Sequence, residues 1–154
     1  MKKALTSLAL MGAVAYGATV DQNVTFQFTG DTGCSISNSP SLSISFNGLT
    51  DASGQFSVQF LCSPNTPYTL SVEAGANSDA TSRRAVNGAD YIRYRLYWDN
   101  GYTQEIGVIA NNTQIGIGSG DTQTQTIYVR VLANENANVP LGTYTDTLRV
   151  KITW

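Results

Sequence analysis

Two cysteines, eleven carboxylates and no histidine are the residues from which this 154-residue chain could build chemistry. Hydrolysis needs an activated nucleophile or a carboxylate pair, and activating Ser or Thr ordinarily takes a general base such as histidine. Asp31, Asp51, Asp79, Asp90, Asp99, Glu105, Asp121 and Glu135 fall mostly in turn-like segments. Acidic side chains there usually bond their own backbone or stay solvated. No D-x-D-x-D-G calcium loop exists, and a thiolate or imidazole metal site lacks its ligands. The chain is therefore expected to be no enzyme and to carry no cofactor or metal.

Cys34 and Cys62 form an even pair, which in an exported chain reads as a disulfide. Such a bridge contributes roughly 3 to 4 kcal/mol by restricting the unfolded chain. Export itself is expected from the N-terminus, where Lys2 and Lys3 precede an apolar run over residues 4–16, and Ala15-Tyr16-Gly17 supplies small residues for cleavage. Residues 1–17 then form a signal peptide. The run falls short of the roughly 20 residues a membrane-spanning helix needs, so no membrane insertion is expected.

Removing the leader leaves seven basic residues against eleven acidic ones, a net charge of −4. That balance argues against nucleic acid as a partner. The glycine-dense Gly116-Ile117-Gly118-Ser119-Gly120-Asp121 lacks the Lys-Ser/Thr of a phosphate loop and reads as a turn between strands. Arg83-Arg84 and Arg93/Arg95 are the cationic clusters. They read as a solvated strand face whose arginine stems cover Tyr91 and Tyr97, or else as a subunit contact or adhesion patch.

The elements that position these residues are strands, because period-2 alternation recurs and period 3.6 does not. Leu42, Ile44 and Phe46 define one face, followed by Phe56, Val58, Phe60 and Cys62, then by Tyr68, Leu70, Val72 and Ala74. Residues 75–90 are polar and read as a long loop. Residues 91–98 alternate Ile92, Tyr94, Leu96 and Trp98 inward against Tyr91, Arg93, Arg95 and Tyr97. Ile127, Val129, Val131 and Ala133 mark another strand, and residues 144–154 the last. Many short strands joined by polar turns predict an antiparallel sandwich.

Both ends of the chain repeat this grammar. In residues 19–29 the apolar Val20, Val24, Phe26 and Phe28 alternate with polar residues, giving a strand-like N-terminal arm over 18–29. Leu148, Val150, Ile152 and Trp154 alternate with Thr147, Arg149, Lys151 and Thr153, and the sequence stops there. Such a pair of ends suggests polymerisation by exchanged strands.

Cys34 and Cys62, Pro67-Tyr68-Thr69-Leu70, Ala74-Gly75, Arg84, the run over 91–97, the glycine turn and the block over 139–147 together resemble the spore coat protein U domain family, subunits of archaic chaperone-usher pili. The resemblance implies an immunoglobulin-like β-sandwich lacking its last strand and completed by a donated one. It implies a domain over 30–154, with Leu148, Val150, Ile152 and Trp154 lining an acceptor groove and Val20, Val24, Phe26 and Phe28 forming the donor strand. The partners it implies are identical or homologous pilus subunits in a head-to-tail polymer, a periplasmic chaperone and an outer-membrane usher. Passage through the periplasm to a surface fimbrium follows, with adhesion and biofilm formation as the expected role. A spore or cell-surface coat protein of the same fold is one alternative. A secreted carbohydrate-binding module, with sugars stacked on Tyr91 and Tyr97, is the other.

Overall fold

The computed structural model describes Gln27 and residues 32–108 and 112–154, so the expected leader and the arm residues Val20, Val24, Phe26 and Phe28 lie outside the described residues. Eight strands and one 3-10 turn follow in order: β1 Cys34–Ile36, β2 Ala52–Cys62, β3 Pro67–Val72, β4 Arg83–Asn87, β5 Asp90–Tyr97, β6 Gln114–Ile117, β7 Thr122–Val131, the turn Ala133–Glu135, and β8 Val150–Thr153. All pairings are antiparallel. One sheet runs β1-β2-β7-β5-β4 and the other β6-β3-β8. The two form an immunoglobulin-like sandwich.

The core follows from the alternation. Val58, Phe60 and Cys62 of β2, Leu70 and Val72 of β3, Leu96 of β5, Ile127 and Val129 of β7, with Trp98 and Ile106, pack together between the sheets. Phe60 meets Tyr68 edge to face across that space, ring centres 5.1 Å apart. The β2–β7 ladder is the longest, pairing Ala52 with Val131 through to Leu61 with Thr122. Cys34 stands opposite Cys62 in the β1–β2 register, and the two are joined by a disulfide.

Four expectations are corrected. The polar segment 75–90 is not one loop: it contains β4, which forms a hairpin with β5 around the turn at Asn87-Gly88. Residues 42–46 form no strand, and Leu42 is exposed while Ile44 and Phe46 are half-buried; β1 pairs only with Phe60–Cys62 of β2, and just beyond it the edge is bonded by the side chain of Asn38. Its amide donates to the Ser57 carbonyl at 2.8 Å and accepts the Gln59 N–H at 2.7 Å. The glycine-dense piece is a turn only after Ile117; before it, Gln114–Ile117 is strand β6. Gly116 is required because the Tyr68 ring of the neighbouring strand occupies the space a Cβ would fill. Ala133, expected on the inward face of a strand, opens the 3-10 turn instead and is half-buried.

Candidate assembly edge

The C-terminal segment divides between the two sheets. Thr145 bridges to Val86 at the outer edge of β4, with N–H to carbonyl distances of 2.9 and 3.0 Å in both directions. The chain then crosses over, with Thr147 and Arg149 accepting hydrogen bonds from Ala76 and Glu73, and β8 pairs with β3 from Val72–Val150 to Thr69–Thr153. A strand that changes sheets in this way turns a corner of the sandwich.

β8 is thus the end strand of its sheet, and among the described residues no strand pairs with its other side. Leu148, Val150 and Ile152 are half-buried and pack against the core, as do Cys34 and Ile36 of β1, the facing end strand of the larger sheet, together with Ile44 and Phe56. Trp154 differs from its three alternating neighbours. Its side chain is 59% exposed and its indole lies near Gly33, where a Cβ would stand 3.8 Å from Nε1. Among the described residues, this side of the sandwich is rimmed by apolar side chains of two strand edges, a surface able to accept an extended apolar-alternating peptide.

What fixes this segment is a polar cluster that the sequence reading missed. Arg83, expected on a solvated face, is only 2% exposed. Its guanidinium donates to the carbonyls of Val72 at 3.2 Å, Glu73 at 3.0 Å and Ile106 at 3.3 Å, tying β4 to the end of β3. Burial pulls its pKa down, opposed by Tyr94, Asp146 and Glu105. Beside it, the Tyr94 hydroxyl donates to Asp146 at 2.5 Å, and the other Asp146 oxygen accepts from the Asn77 backbone and side chain, both at 3.1 Å. Burial, reinforced by the Asp146 carboxylate, pushes the Tyr94 phenol far above its ordinary range, so it stays a donor.

Gly75 completes the fit. With φ at +101° it takes a conformation that favours glycine, and the Asp146 carboxylate fills the place of its Cβ. The alternation of residues 91–97 could have revealed Tyr94 as an inward hydroxyl needing an acceptor. Arg83 carried no comparable signal, since two adjacent arginines in a polar stretch read as surface.

The surface arginines sort differently. Arg84 and Arg93 lie over the Tyr91 ring at 5.0 and 5.4 Å, whereas Tyr97, expected beside them on the exposed face, is 6% exposed and packs edge to face on Tyr102. No three carboxylate, cysteine or histidine side chains converge to hold a metal among the described residues. No helix among them is long and apolar enough to cross a membrane.

The Spore Coat Protein U domain family model matches residues 18–151. No curated protein matches. Among solved structures, a chaperone and tip adhesion subunit pre-assembly complex from archaic chaperone-usher Csu pili of Acinetobacter baumannii is similar with a TM-score of 0.58 at 18% identity, over 80% of this chain and 40% of that one. A chaperone and tip adhesin complex of CFA/I fimbriae biogenesis gives a TM-score of 0.49 at 10% identity, over 79% of this chain and 41% of the other. This chain therefore spans less than half the length of either neighbour, and the likeness to the first is one of fold.

Proposed function

The chain belongs to the Spore Coat Protein U domain family, and on that premise we propose that it is a structural subunit of a chaperone-usher pilus that polymerises by strand donation. The observation that carries this reading is β8, a short end strand whose inward residues Val150 and Ile152, with Leu148 just before it, are only half-buried against the core. An N-terminal arm bearing Val20, Val24, Phe26 and Phe28 has the alternation to lie beside it. In this reading residues 1–17 are a signal peptide, 18–29 the donor arm and 30–154 the pilin domain. A periplasmic chaperone occupies the edge first, an outer-membrane usher exchanges it for the next subunit's arm, and the fibre reaches the cell surface, where it supports adhesion and biofilm formation.

Magnitudes support the mechanism. Burying two Phe and two Val side chains contributes on the order of 6 to 12 kcal/mol. Each backbone hydrogen bond adds about 1 kcal/mol. One donated strand therefore rivals the roughly 5 to 15 kcal/mol that stabilises a whole domain. An open apolar edge invites aggregation until it is covered, which gives the chaperone its task.

Sedimentation velocity tests the reading on the exported protein purified with its assembly partners, compared with a variant lacking residues 18–29. Large polymers that vanish in the deletion are expected. A stable, monodisperse monomer of the full-length protein would overturn the reading. Phe26→Asp should block polymerisation while leaving export intact, and Val150→Asp should abolish chaperone capture.

A further inference from the structure

The outer face of the five-stranded sheet gathers Arg84 on β4, Arg93 and Arg95 on β5 and Arg130 on β7, in a chain whose net charge is negative. The register sets Arg84 directly opposite Arg93 and Arg95 directly opposite Arg130. Like charges so placed destabilise a sheet unless something neutralises them. For the second pair the protein supplies the counter-charges: Arg95 meets Glu135 and, at 3.2 Å, Glu105, while Arg130 meets Asp51 at 2.9 Å.

The first pair is left short. Arg93 has no carboxylate within ion-pair distance among the described residues, and its buried Nε finds no acceptor. Arg84 has Asp79 at 3.8 Å, a carboxylate that also accepts hydrogen bonds from Thr81 and Ser82, so the two arginines share a single counter-charge among the described residues. Both guanidiniums lie over the ring of Tyr91, 38% exposed; Arg93 donates to its hydroxyl at 3.4 Å, and Arg84 Nε donates to the Asn77 carbonyl at 3.1 Å.

We propose that Arg84, Tyr91 and Arg93 form an oxyanion-binding site for the carboxylate or sulfate groups of a linear acidic polysaccharide. Guanidinium groups match such oxyanions with paired, charge-assisted hydrogen bonds. The surroundings favour a polysaccharide over a folded protein. Further along the same face, level with Arg95 and beyond it, the outward residues Ser53, Gln55, Ser57, Thr124 and Thr126 of β2 and β7 offer a strip of hydroxyls and amides that a linear chain of sugars can follow, whereas a protein interface needs an apolar centre. Of the exposed apolar side chains, Ile115 and Ile117 lie on β6 in the other sheet, and Leu61 lies at the far end of β2, opposite Thr122. Because guanidiniums already lie over the Tyr91 ring, the sugar is held by charge and not by stacking. The site belongs to the single domain and does not depend on polymerisation, although a fibre would repeat it and raise avidity.

The test measures binding of the purified full-length protein to polygalacturonate, dextran sulfate and neutral dextran at rising salt. Binding to one or both polyanions that weakens with salt, absence of binding to neutral dextran, and amide shifts centred on β4 and β5 are expected. The Arg84→Gln/Arg93→Gln variant should bind about tenfold more weakly or worse, with its circular dichroism unchanged and its melting temperature no lower than the parent's. Arg149→Gln/Lys151→Gln, on the other sheet, should bind as the parent does. The carboxylate and sulfate arms identify the preferred oxyanion. Failure of the parent to bind either polyanion overturns the proposal, as do equal binding by the Arg84→Gln/Arg93→Gln variant or a change in that variant confined to self-association. If the double variant fails to fold, the amide shifts of the parent decide: shifts away from β4 and β5 overturn it.

Discussion

The ladder between β2 and β7 and the ladder between β3 and β8 are built from the same alternating residues, yet they differ in how far the chain completes them. The first joins ten residue pairs in the middle of a five-stranded sheet, with Val58, Phe60, Ile127 and Val129 buried behind it. The second joins four pairs at the end of a three-stranded sheet, and while Leu70 and Val72 of β3 are buried, their partners Ile152 and Val150 of β8 remain half-buried. Alternation alone thus fixes which side chains point inward, while burial depends on what lies on both flanks of a strand. The first region can stabilise itself. In the function proposed above, the second is where an added strand would act.

The sharpest way to break this contrast is to truncate matching residues in the two ladders. Ile127→Ala in the centre should lose about 4 kcal/mol in urea unfolding, as buried large-to-small substitutions do. Ile152→Ala at the end strand should lose about 1 to 2 kcal/mol in the unassembled domain, because less apolar area is given up. Equal losses would erase the distinction.

Arg83→Met probes the joint between the regions, since it removes the donors of three carbonyls, at Val72, Glu73 and Ile106. A loss of about 3 kcal/mol is expected, measured by thermal and urea unfolding. Tyr94→Phe deletes one hydrogen bond to a carboxylate and should cost about 2 kcal/mol. Hydrogen exchange should then rise in residues 144–148 and β8 before it rises in β2 or β7. Uniform exchange across both ladders would mean that the cluster does not specifically hold the C-terminal segment.

The smallest effect is at Asp79, whose carboxyl is held well below its ordinary range by the backbone N–H groups of Thr81 and Ser82. A depressed folded pKa contributes stability that is present above the unfolded value near 3.8 and lost as pH falls below it. Asp79→Asn should therefore be less stable than the parent at neutral pH, with the gap closing in acid. A gap that stays constant from pH 7 to pH 2 would show that the turn before β4 owes nothing to this charge.

Much of the fold was legible because it rests on local alternation. The inward residues of β2 and β3, Ile127, Val129 and Val131 of β7 and the disulfide partners followed from residue order, whereas the strand expected over 144–154 is confined to Val150–Thr153. Three features were not. β4 was hidden because its inward positions are Arg83 and Ala85, so the hydrophobic signal of a strand is missing. β6 was hidden because Gly116 makes room for Tyr68, a contact that no local pattern encodes. Trp154 kept its place in the alternation but not its burial, since it lies past the last pair of β8.

The sequence by itself determined the all-β character, the inward faces, the disulfide and the family, since each depends on residue types at short spacing or on an ordered set of motifs. Only the tertiary structure decided that Arg83 is buried while Arg84, its immediate neighbour, faces out, and that Arg93 stands opposite Arg84 with no carboxylate of its own among the described residues. Successive residues of a strand point to opposite faces, so adjacency in sequence separates them. Which charges then meet is set by the register between strands far apart in the chain.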